Sequence, residues 1–253
     1  MEQKIPKIIH YCWFGENPKP QLVLKCIESW KRFCPDYELI EWNESNFDIH
    51  SHVFVEEAYR EKKWAFVSDF VRASVLLQYG GIYLDTDMEL IRPLDPLLQH
   101  CLFAGFEAND TIGSAIFGCE AENETIRKYY EYYQSKSFSF LDDDYNTSPI
   151  VLTEVLRGNG LRLNGKRQDI SGSAIYSKPV FFPTGLGWVF GKYCSRTIGV
   201  HHYMDSWGKN NAMGERTRMS KLRLSLLYHA RNIVGTSKMY KLGQRMRKLR
   251  RGK

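Results

Sequence analysis

The sequence lacks the features that mark several common classes of protein. No apolar run approaches the ~20 residues of a membrane-spanning helix. We expect no signal peptide, because the first seven residues lead directly into a core-like strand. There are no repeats and no low-complexity segments. No CxxC pair and no metal-ligand spacing occurs among the six cysteines, which are Cys12, Cys26, Cys34, Cys101, Cys119 and Cys194. We therefore expect buried thiols in a reducing compartment, and a cytoplasmic protein.

The charge is divided unevenly along the chain. The formal net charge of the 253 residues is +6. Residues 215–253 carry 13 Lys/Arg and one acidic residue, which leaves 22 basic against 28 acidic residues in the rest. This tail has helical spacing of its apolar residues, so it is predicted to be a basic amphipathic extension that could contact an anionic membrane. A solvated basic end is the alternative, and nucleic-acid binding is not expected because few aromatic residues are interleaved with the bases.

The order of predicted elements indicates an α/β protein. A buried strand over 7–14 is followed by a helix over 21–33, a strand over 37–42, and helices over 54–62 and 64–79. Further strands are predicted over 82–84, 102–106, 112–118 and 198–203, with helices from 122 and 149. Strands that alternate with helices predict a mostly parallel sheet between helical layers. We expect one catalytic domain over 1–214 and the basic tail over 215–253.

Four charged side chains converge around one buried strand. Asp69 and Arg72 lie three residues apart, and so on one face of a helix that is otherwise apolar. After the Gly80-Gly81 break, a short strand leads to Asp85 and Asp87. If the strand continues through them, both carboxylates point to one side of the chain. Burying such charges is costly unless a cation and a polar ligand are bound there.

Two hard anionic oxygens suit Mg²⁺ or Mn²⁺, which can take up the charge of a leaving diphosphate. An Asp-x-Asp alone is a weak signal, because a solvated turn after a strand gives the same letters. Likewise, Asp69 and Arg72 alone could be a structural ion pair. The specificity comes from the combination of the two pairs.

The combination resembles the DXD-sugar glycosyltransferases, with glycosyltransferase family 32 as the nearest group and the glucosylating clostridial toxins as more distant relatives. Three blocks carry the resemblance and occur in the family's order. They are Ile5-Pro6-Lys7-Ile8-Ile9-His10-x-x-Trp13, then Ser68-Asp69-x-x-Arg72 with Gly80-Gly81-Ile82-Tyr83-Leu84-Asp85-x-Asp87, and finally His201-His202-x-x-x-Ser206-Trp207. The resemblance implies a GT-A fold, a nucleotide-sugar donor, a divalent metal and retention of the anomeric configuration.

The resemblance also implies roles for the charged residues. Asp87 would be the direct metal ligand, and Asp85 would bridge the ribose, the sugar and the metal. Asp69 and Arg72 would hold hydroxyls of the donor sugar. Either His201 or His202 would complete the metal site; a histidine packed in a strand is the alternative for each of them.

Further positions are implied to contact the donor or its phosphates. Trp13 would stack on the base, Tyr83 would line the donor pocket, and Lys209 would take up charge on the leaving diphosphate. The other expected cofactor-binding positions are His10, Ser68, Gly113, Ser114, Ser206 and Trp207.

The resemblance thus implies a retaining, metal-dependent hexosyltransferase that uses a nucleotide sugar, with a UDP-sugar favoured. We expect a saccharide acceptor, lipid-linked, in the synthesis of a bacterial capsular or other surface polysaccharide at the inner face of the cell membrane. One alternative is a phosphatase of the haloacid-dehalogenase type, which also places Asp-x-Asp after an apolar strand. The other is a non-enzymatic membrane-binding module that uses the basic tail.

Overall fold

The computed structural model describes residues 2–138, 147–183 and 193–204. The helices in this part of the chain are α1 (Gln21–Phe33), α2 (Val53–Arg60), α3 (Trp64–Tyr79), α4 (Glu124–Gln134) and α5 (Ser148–Gly158). The strands are β1 (Ile8–Cys12), β2 (Glu38–Trp42), β3 (Gly81–Leu84), β4 (Met88–Leu90), β5 (Leu102–Ala108), β6 (Thr111–Cys119), β7 (Gln168–Ile170), β8 (Ser173–Tyr176) and β9 (Gly199–His201).

Seven of these strands form one sheet in the order β2-β1-β3-β6-β5-β8-β7, and β4 pairs with β9 in a separate two-stranded sheet. The strands β2, β1, β3, β5 and β8 run in one direction, whereas β6 and β7 run against them. The α/β class and the mostly parallel sheet predicted from the sequence are therefore confirmed. The sheet also agrees with the GT-A fold that the resemblance implies.

The sheet is covered on both faces because the side chains of its strands alternate between two apolar clusters. In β3, Tyr83 points into the cluster that holds α2, α3, α4 and α5, whereas Ile82 and Leu84 point into the cluster that holds α1. Helix α3 is buried along much of its length, which agrees with its nearly continuous apolar sequence. Its charged residues Asp69 and Arg72 are consequently held inside the protein.

The predicted break between α3 and β3 is confirmed, and glycine is needed there for two reasons. Gly80 and Gly81 both have positive φ, at 64° and 93°, a region that other residues adopt at a cost. A Cβ on Gly81 would also lie 2.8 Å from the carbonyl oxygen of Ile8 on the neighbouring strand. The close approach of β1 and β3 therefore depends on this glycine, and it brings the carboxyl ends of the two strands to one edge of the sheet.

The expectations for the cysteines are confirmed only in part. All six thiols are free; Cys12, Cys26, Cys34 and Cys119 are buried, while Cys101 and Cys194 are partly exposed. The strands β4, β7 and β8 were not predicted from the sequence. The predicted tail over 215–253 lies outside the described residues, as does the proposed domain boundary at 214. Within the described part of the chain, no helix has both the length and the apolar character to cross a membrane.

Candidate metal and nucleotide-sugar site

The two aspartates of the DXD motif lie in a tight turn between β3 and β4. Strand β3 ends at Leu84, and the amide of Met88 donates to the carbonyl of Asp85 across 2.9 Å. The amide of Asp85 donates to Ala115 of β6, so the turn is fixed to the centre of the sheet. The expectation of a strand that continues through both residues is therefore wrong. The turn, rather than strand alternation, brings the two carboxylates together.

Arg72 connects the buried helix to this turn. Its Nη2 lies 3.2 Å from Oδ1 of Asp69 and 3.2 Å from Oδ1 of Asp85. Its Nη1 donates to the carbonyl of Ser114 at 2.7 Å, and its Nε donates to the carbonyl of Ser68. The side chain of Arg72 is only 5% exposed, and that of Asp85 is 28% exposed. Asp85 is thus the member of this ion-pair group that reaches towards the solvent.

Tyr83 lies beneath Arg72 instead of lining an open pocket. The guanidinium carbon is 4.3 Å from the centre of the Tyr83 ring, close enough for a cation–π contact. Tyr83 is only 1% exposed. The structure therefore does not agree with the predicted contact between Tyr83 and the donor; the ring supports the guanidinium from the core side.

Asp87 is held by the segment that follows β9. Its Oδ1 lies 3.2 Å from Nε2 of His201, and its Oδ2 accepts a hydrogen bond from the amide of Met204 at 2.6 Å. Its backbone carbonyl accepts from the amide of His202. The antiparallel pairing of Met88 with His201 explains why these distant parts of the chain meet.

The two histidines point to different partners. His201 faces Asp87, whereas Nε2 of His202 lies 2.7 Å from Oε2 of Glu89. Lys25 contacts the same Glu89 carboxylate. This divergence follows from strand geometry, since successive side chains lie on opposite faces. Of the two histidines that the sequence left open, His201 is therefore the one that lies beside Asp87 and Asp85. The binding of a metal by either histidine stays a prediction.

The pKa values of the two aspartates are shifted in opposite directions. Burial raises the pKa of Asp85, and Arg72 offsets only part of this effect. Burial acts in the same sense on Asp87, but the charge of His201 and the hydrogen bonds to Asp87 hold its pKa below the usual range. Burial alone would lower the pKa of His201, yet the charge and hydrogen bond of Asp87, together with Asp85, raise it to about 9. Without a metal, a proton on His201 therefore balances Asp87.

These residues fit a divalent cation. Asp85, Asp87 and His201 each offer one ligand atom, and the three atoms lie within 4.8 Å of one another. Two carboxylate oxygens and one imidazole nitrogen suit Mn²⁺ better than they suit Mg²⁺, which prefers oxygen alone. Among the described residues, Nδ1 of His201 has no hydrogen-bond partner. Nδ1 is therefore not committed to an acceptor among these residues.

Trp13 lies just beyond the carboxyl end of β1, next to the edge where the DXD turn begins. Its Nε1 donates to the carbonyl of Asn17 at 2.6 Å, and Nζ of Lys19 lies 5.7 Å from the ring centre. Lys19 is also paired with Glu41 of β2. The ring is partly exposed, so its predicted stacking on a base remains compatible with this position and stays a prediction.

The other expected contacts to the cofactor are placed differently. His10 is fully buried, with Nδ1 accepting from Nε1 of Trp42 and Nε2 bonded to the carbonyl of Gly80. The hydroxyl of Ser68 donates to the carbonyl of Trp64. A Cβ on Gly113 would lie 2.2 Å from the ring of Phe182. His10, Ser68 and Gly113 thus have structural partners inside the protein, which do not agree with direct contacts to a cofactor.

Ser114 lies closer to the expected role, because its carbonyl binds Arg72 beside Asp85. The predicted contacts from Ser206, Trp207 and Lys209 lie outside the described residues. Their roles stay predictions.

Three features of the site were not predicted from the sequence. They are the amide of Met204 on Asp87, the pairing of Glu89 with His202, and Glu107, a buried carboxylate whose charge helps to raise the pKa of His201. A backbone amide leaves no signal in the sequence. Glu107, however, is a lone acid at the end of the apolar stretch 102–106, and such a residue could have been marked as a candidate.

Comparison with known families gives a match to the glycosyltransferase sugar-binding region containing a DXD motif, over residues 20–104. This segment includes Asp69, Arg72, Asp85 and Asp87. The match agrees with the resemblance found from the sequence. It does not favour the haloacid-dehalogenase alternative.

Individual relatives are distant and longer than the matched region. Inositol phosphoceramide mannosyltransferase 3 of Schizosaccharomyces pombe is 28% identical over 59% of this chain and 44% of its own length. Toxin B of Clostridioides difficile is 33% identical over 40% of this chain and 4% of its own length. The chain therefore spans less than half the length of these curated relatives. Among solved structures, a chain described as PaToxG glycosyltransferase gives a TM-score of 0.48 at 18% identity, covering 62% of this chain and 70% of that one.

Proposed function

We propose that the chain, whose residues 20–104 match the glycosyltransferase sugar-binding region containing a DXD motif, transfers a hexose from a nucleoside diphosphate sugar to an acceptor. The observation that carries the proposal is the convergence of Asp85, Asp87 and His201 within 4.8 Å, beside the buried Arg72. In such a site, the three candidate metal ligands can bind a diphosphate through a cation. The neighbouring buried ion pair can bind a sugar through hydrogen bonds.

In this proposal Asp87 and His201 hold a divalent cation, preferably Mn²⁺, and Asp85 binds both the cation and the donor. When bound, such a cation neutralises charge on the leaving diphosphate. The low pKa of Asp87 supports its role, because a carboxylate must be charged to bind metal at neutral pH. The contact of Asp85 with Arg72 supports a different role, since it fixes this carboxylate beside the buried pair of Asp69 and Arg72, which are proposed to bind the sugar.

Asp69 and Arg72 would act on the donor sugar from the inner wall of the site. Arg72 offers donors in a fixed planar geometry, and Asp69 offers acceptors for hydroxyl groups. Both residues are less than one tenth exposed. Their contribution would therefore be made at the bottom of the site, where hydrogen bonds to a sugar are little weakened by water.

For the acceptor we propose a polar head group carried by a lipid. The support is the name of the fission yeast relative, which acts on inositol phosphoceramide, and the basic segment 215–253, which could bring the enzyme to an anionic surface. The same relative is a mannosyltransferase, so we propose a mannosyl donor as an alternative to the UDP-hexose that the sequence favours. We also propose a role in the synthesis of a bacterial surface or capsular polysaccharide.

We propose retention of the anomeric configuration, by attack of the acceptor on the face from which the diphosphate departs. This part follows from the family resemblance. Analysis of the product anomer by NMR tests it, and an inverted product would contradict it.

The first experiment is binding of a nucleoside diphosphate to the whole protein. Thermal unfolding is followed with Mn²⁺ and UDP, with Mn²⁺ and GDP, and with each component alone. We expect one nucleotide to raise the Tm only together with Mn²⁺, and EDTA to abolish the rise, because ligands of the folded state stabilise it. Hydrolysis of UDP- and GDP-hexoses then identifies the donor.

The matched variant is Asp87→Asn, which keeps the size of the side chain and removes its charge. We expect it to lose the Mn²⁺-dependent rise and at least about 99% of donor hydrolysis, since the metal loses a direct ligand. Glu120→Gln, a change at an acidic residue that follows β6, serves as a control and should retain both properties. Full metal-dependent turnover by Asp87→Asn would contradict the proposal.

A further inference from the structure

The segment after β9 contains an unusual backbone conformation next to the proposed metal ligands. Tyr203 has a φ of 50°, in the left-handed region that residues with a Cβ adopt rarely. It is one of five non-glycine residues with positive φ in the described part of the chain, and the others are Glu16, Lys62, Glu122 and Ser171. A bulky aromatic residue in this region is unusual, and such conformations are concentrated at functional sites.

The conformation of Tyr203 changes what the following amide can reach. Up to His202 the chain follows the antiparallel pairing of β9 with β4, and the amide of His202 donates to the carbonyl of Asp87. At Tyr203 the chain turns, and the amide of Met204 donates instead to the carboxylate of Asp87 at 2.6 Å. Because of the left-handed conformation of Tyr203, the Met204 amide forms a charge-assisted hydrogen bond with Oδ2 of Asp87 and does not continue the backbone pairing.

The Tyr203 ring also contacts His201, another residue of the proposed metal site. Its centre lies 4.1 Å from the centre of the His201 ring, with 47° between the ring planes. Phe182 packs edge-on against the same imidazole from 6.0 Å. Tyr203 is 9% exposed and belongs to the apolar cluster that holds α1. The aromatic contacts restrict the rotation of His201 and so the direction of its ring nitrogens.

We propose that Tyr203 is a positioning residue for the metal site. Its backbone turn directs the Met204 amide to Oδ2 of Asp87, and its ring fixes the imidazole of His201. One residue thereby orients two ligands, one from the DXD turn and one from β9, which leaves Oδ1 of Asp87 and Nε2 of His201 facing each other at 3.2 Å. This inference rests on the metal site of the proposed function and concerns the arrangement of its ligands, which contact the cation when it is bound.

The test measures the affinity of the donor-free protein for Mn²⁺ by electron paramagnetic resonance. Val is β-branched and disfavours the left-handed region, whereas Asn tolerates it. We expect Tyr203→Val to weaken Mn²⁺ binding by about tenfold or more, as removal of groups that orient metal ligands does elsewhere. We expect Tyr203→Phe to bind like the wild type, and Tyr203→Asn to bind more tightly than Tyr203→Ala.

A control at Tyr37 distinguishes the positioning of metal ligands from packing alone. Tyr37 is another buried tyrosine of the same apolar cluster. Tyr37→Val should lower the Tm without changing Mn²⁺ affinity. Wild-type affinity in a folded Tyr203→Val protein would overturn the inference. If that variant does not fold, equal affinities for Tyr203→Asn and Tyr203→Ala would overturn the role of the turn. Absence of Mn²⁺ binding by the wild type would instead count against the proposed function.

Discussion

Arg72 lies 3.2 Å from Asp85 through Nη2 and Oδ1, and this contact joins the buried helix α3 to the DXD turn. The second aspartate of the turn has a different partner, since Asp87 faces His201. The two carboxylates are close in sequence, yet the pKa of Asp85 is raised by burial while that of Asp87 is lowered through His201 and hydrogen bonds. The structure thus separates a carboxylate that is fixed by a guanidinium from one that is paired with a histidine.

The buried position of Arg72 predicts a large loss of stability in Arg72→Met. The substitution would leave Asp69 and Asp85 next to one another without the cation that now contacts both. We expect the free energy of unfolding to fall by about 3–5 kcal/mol, the usual cost of removing one partner from a buried ion pair. Urea denaturation at pH 7 measures it.

The control for this prediction is Arg127→Met. Arg127 also contacts two acids, Glu122 and Glu124, but it does so at the surface. Exposed ion pairs add little to stability because water screens them. Equal losses in the two variants would show that the burial of Arg72 is not what makes it important.

The divergence of the two histidines predicts different effects of the same substitution. His201→Gln should weaken Mn²⁺ binding by about 100-fold, because a ligand next to Asp87 is lost. His202→Gln should change the affinity by less than about threefold, since its ring contacts Glu89 instead. Isothermal titration with Mn²⁺ measures both. A larger loss in His202→Gln than in His201→Gln would reverse the assignment.

The buried His10 predicts a loss of stability in mild acid. Burial lowers the pKa of His10 to about 4, against a usual value of about 6.5. Between these pH values the unfolded chain binds a proton that the folded protein does not, so stability is complete above pH 6.5 and decreases as the pH falls towards 4. At about 1.4 kcal/mol for each pKa unit, the contribution of His10 to this decrease is about 3 kcal/mol.

The measurement compares the wild type with His10→Gln by urea denaturation from pH 7 to pH 4. Glutamine does not titrate, so the free energy of unfolding of the variant should fall less over this range. The variant should be less stable than the wild type at pH 7, since two hydrogen bonds of the ring, to Trp42 and Gly80, are altered. Identical slopes for both proteins would refute the role of His10.

Much of the fold could be predicted because the long apolar elements carry strong local signals. The limits of α1 and α3 agree with the expected spans of 21–33 and 64–79. The short strands β4, β7 and β8 carry too few residues for a periodic pattern, and their pairing depends on distant partners. The turn at Asp85–Asp87 also escaped prediction because its geometry is set by contacts with β6 and β9.

For the site, the residue types were predictable and their orientations were not. The chemistry of two carboxylates and a histidine marked Asp85, Asp87 and His201. The choice between His201 and His202 depends on the register of β9 with β4, which the sequence does not encode locally. Likewise, the sequence motif includes His10 and Tyr83, but it does not show that both side chains are buried.

Gly113 provides a last test of the difference between a site residue and a supporting residue. A Cβ at this position would lie 2.2 Å from the end of the Phe182 ring, and Phe182 packs against His201 from the same region. We expect Gly113→Ala to lower the free energy of unfolding by about 1–3 kcal/mol through overpacking. We also expect weaker Mn²⁺ binding, since a displaced Phe182 releases His201. Gly158→Ala is the control, because nothing lies within 4 Å of its added Cβ. It should keep the Mn²⁺ affinity and should not lower the free energy of unfolding, since alanine favours a helix more than glycine does. The contrary result is a Gly113→Ala protein that keeps its stability and its Mn²⁺ affinity but binds the nucleotide poorly. That result would support the donor-binding role that the sequence predicted for Gly113.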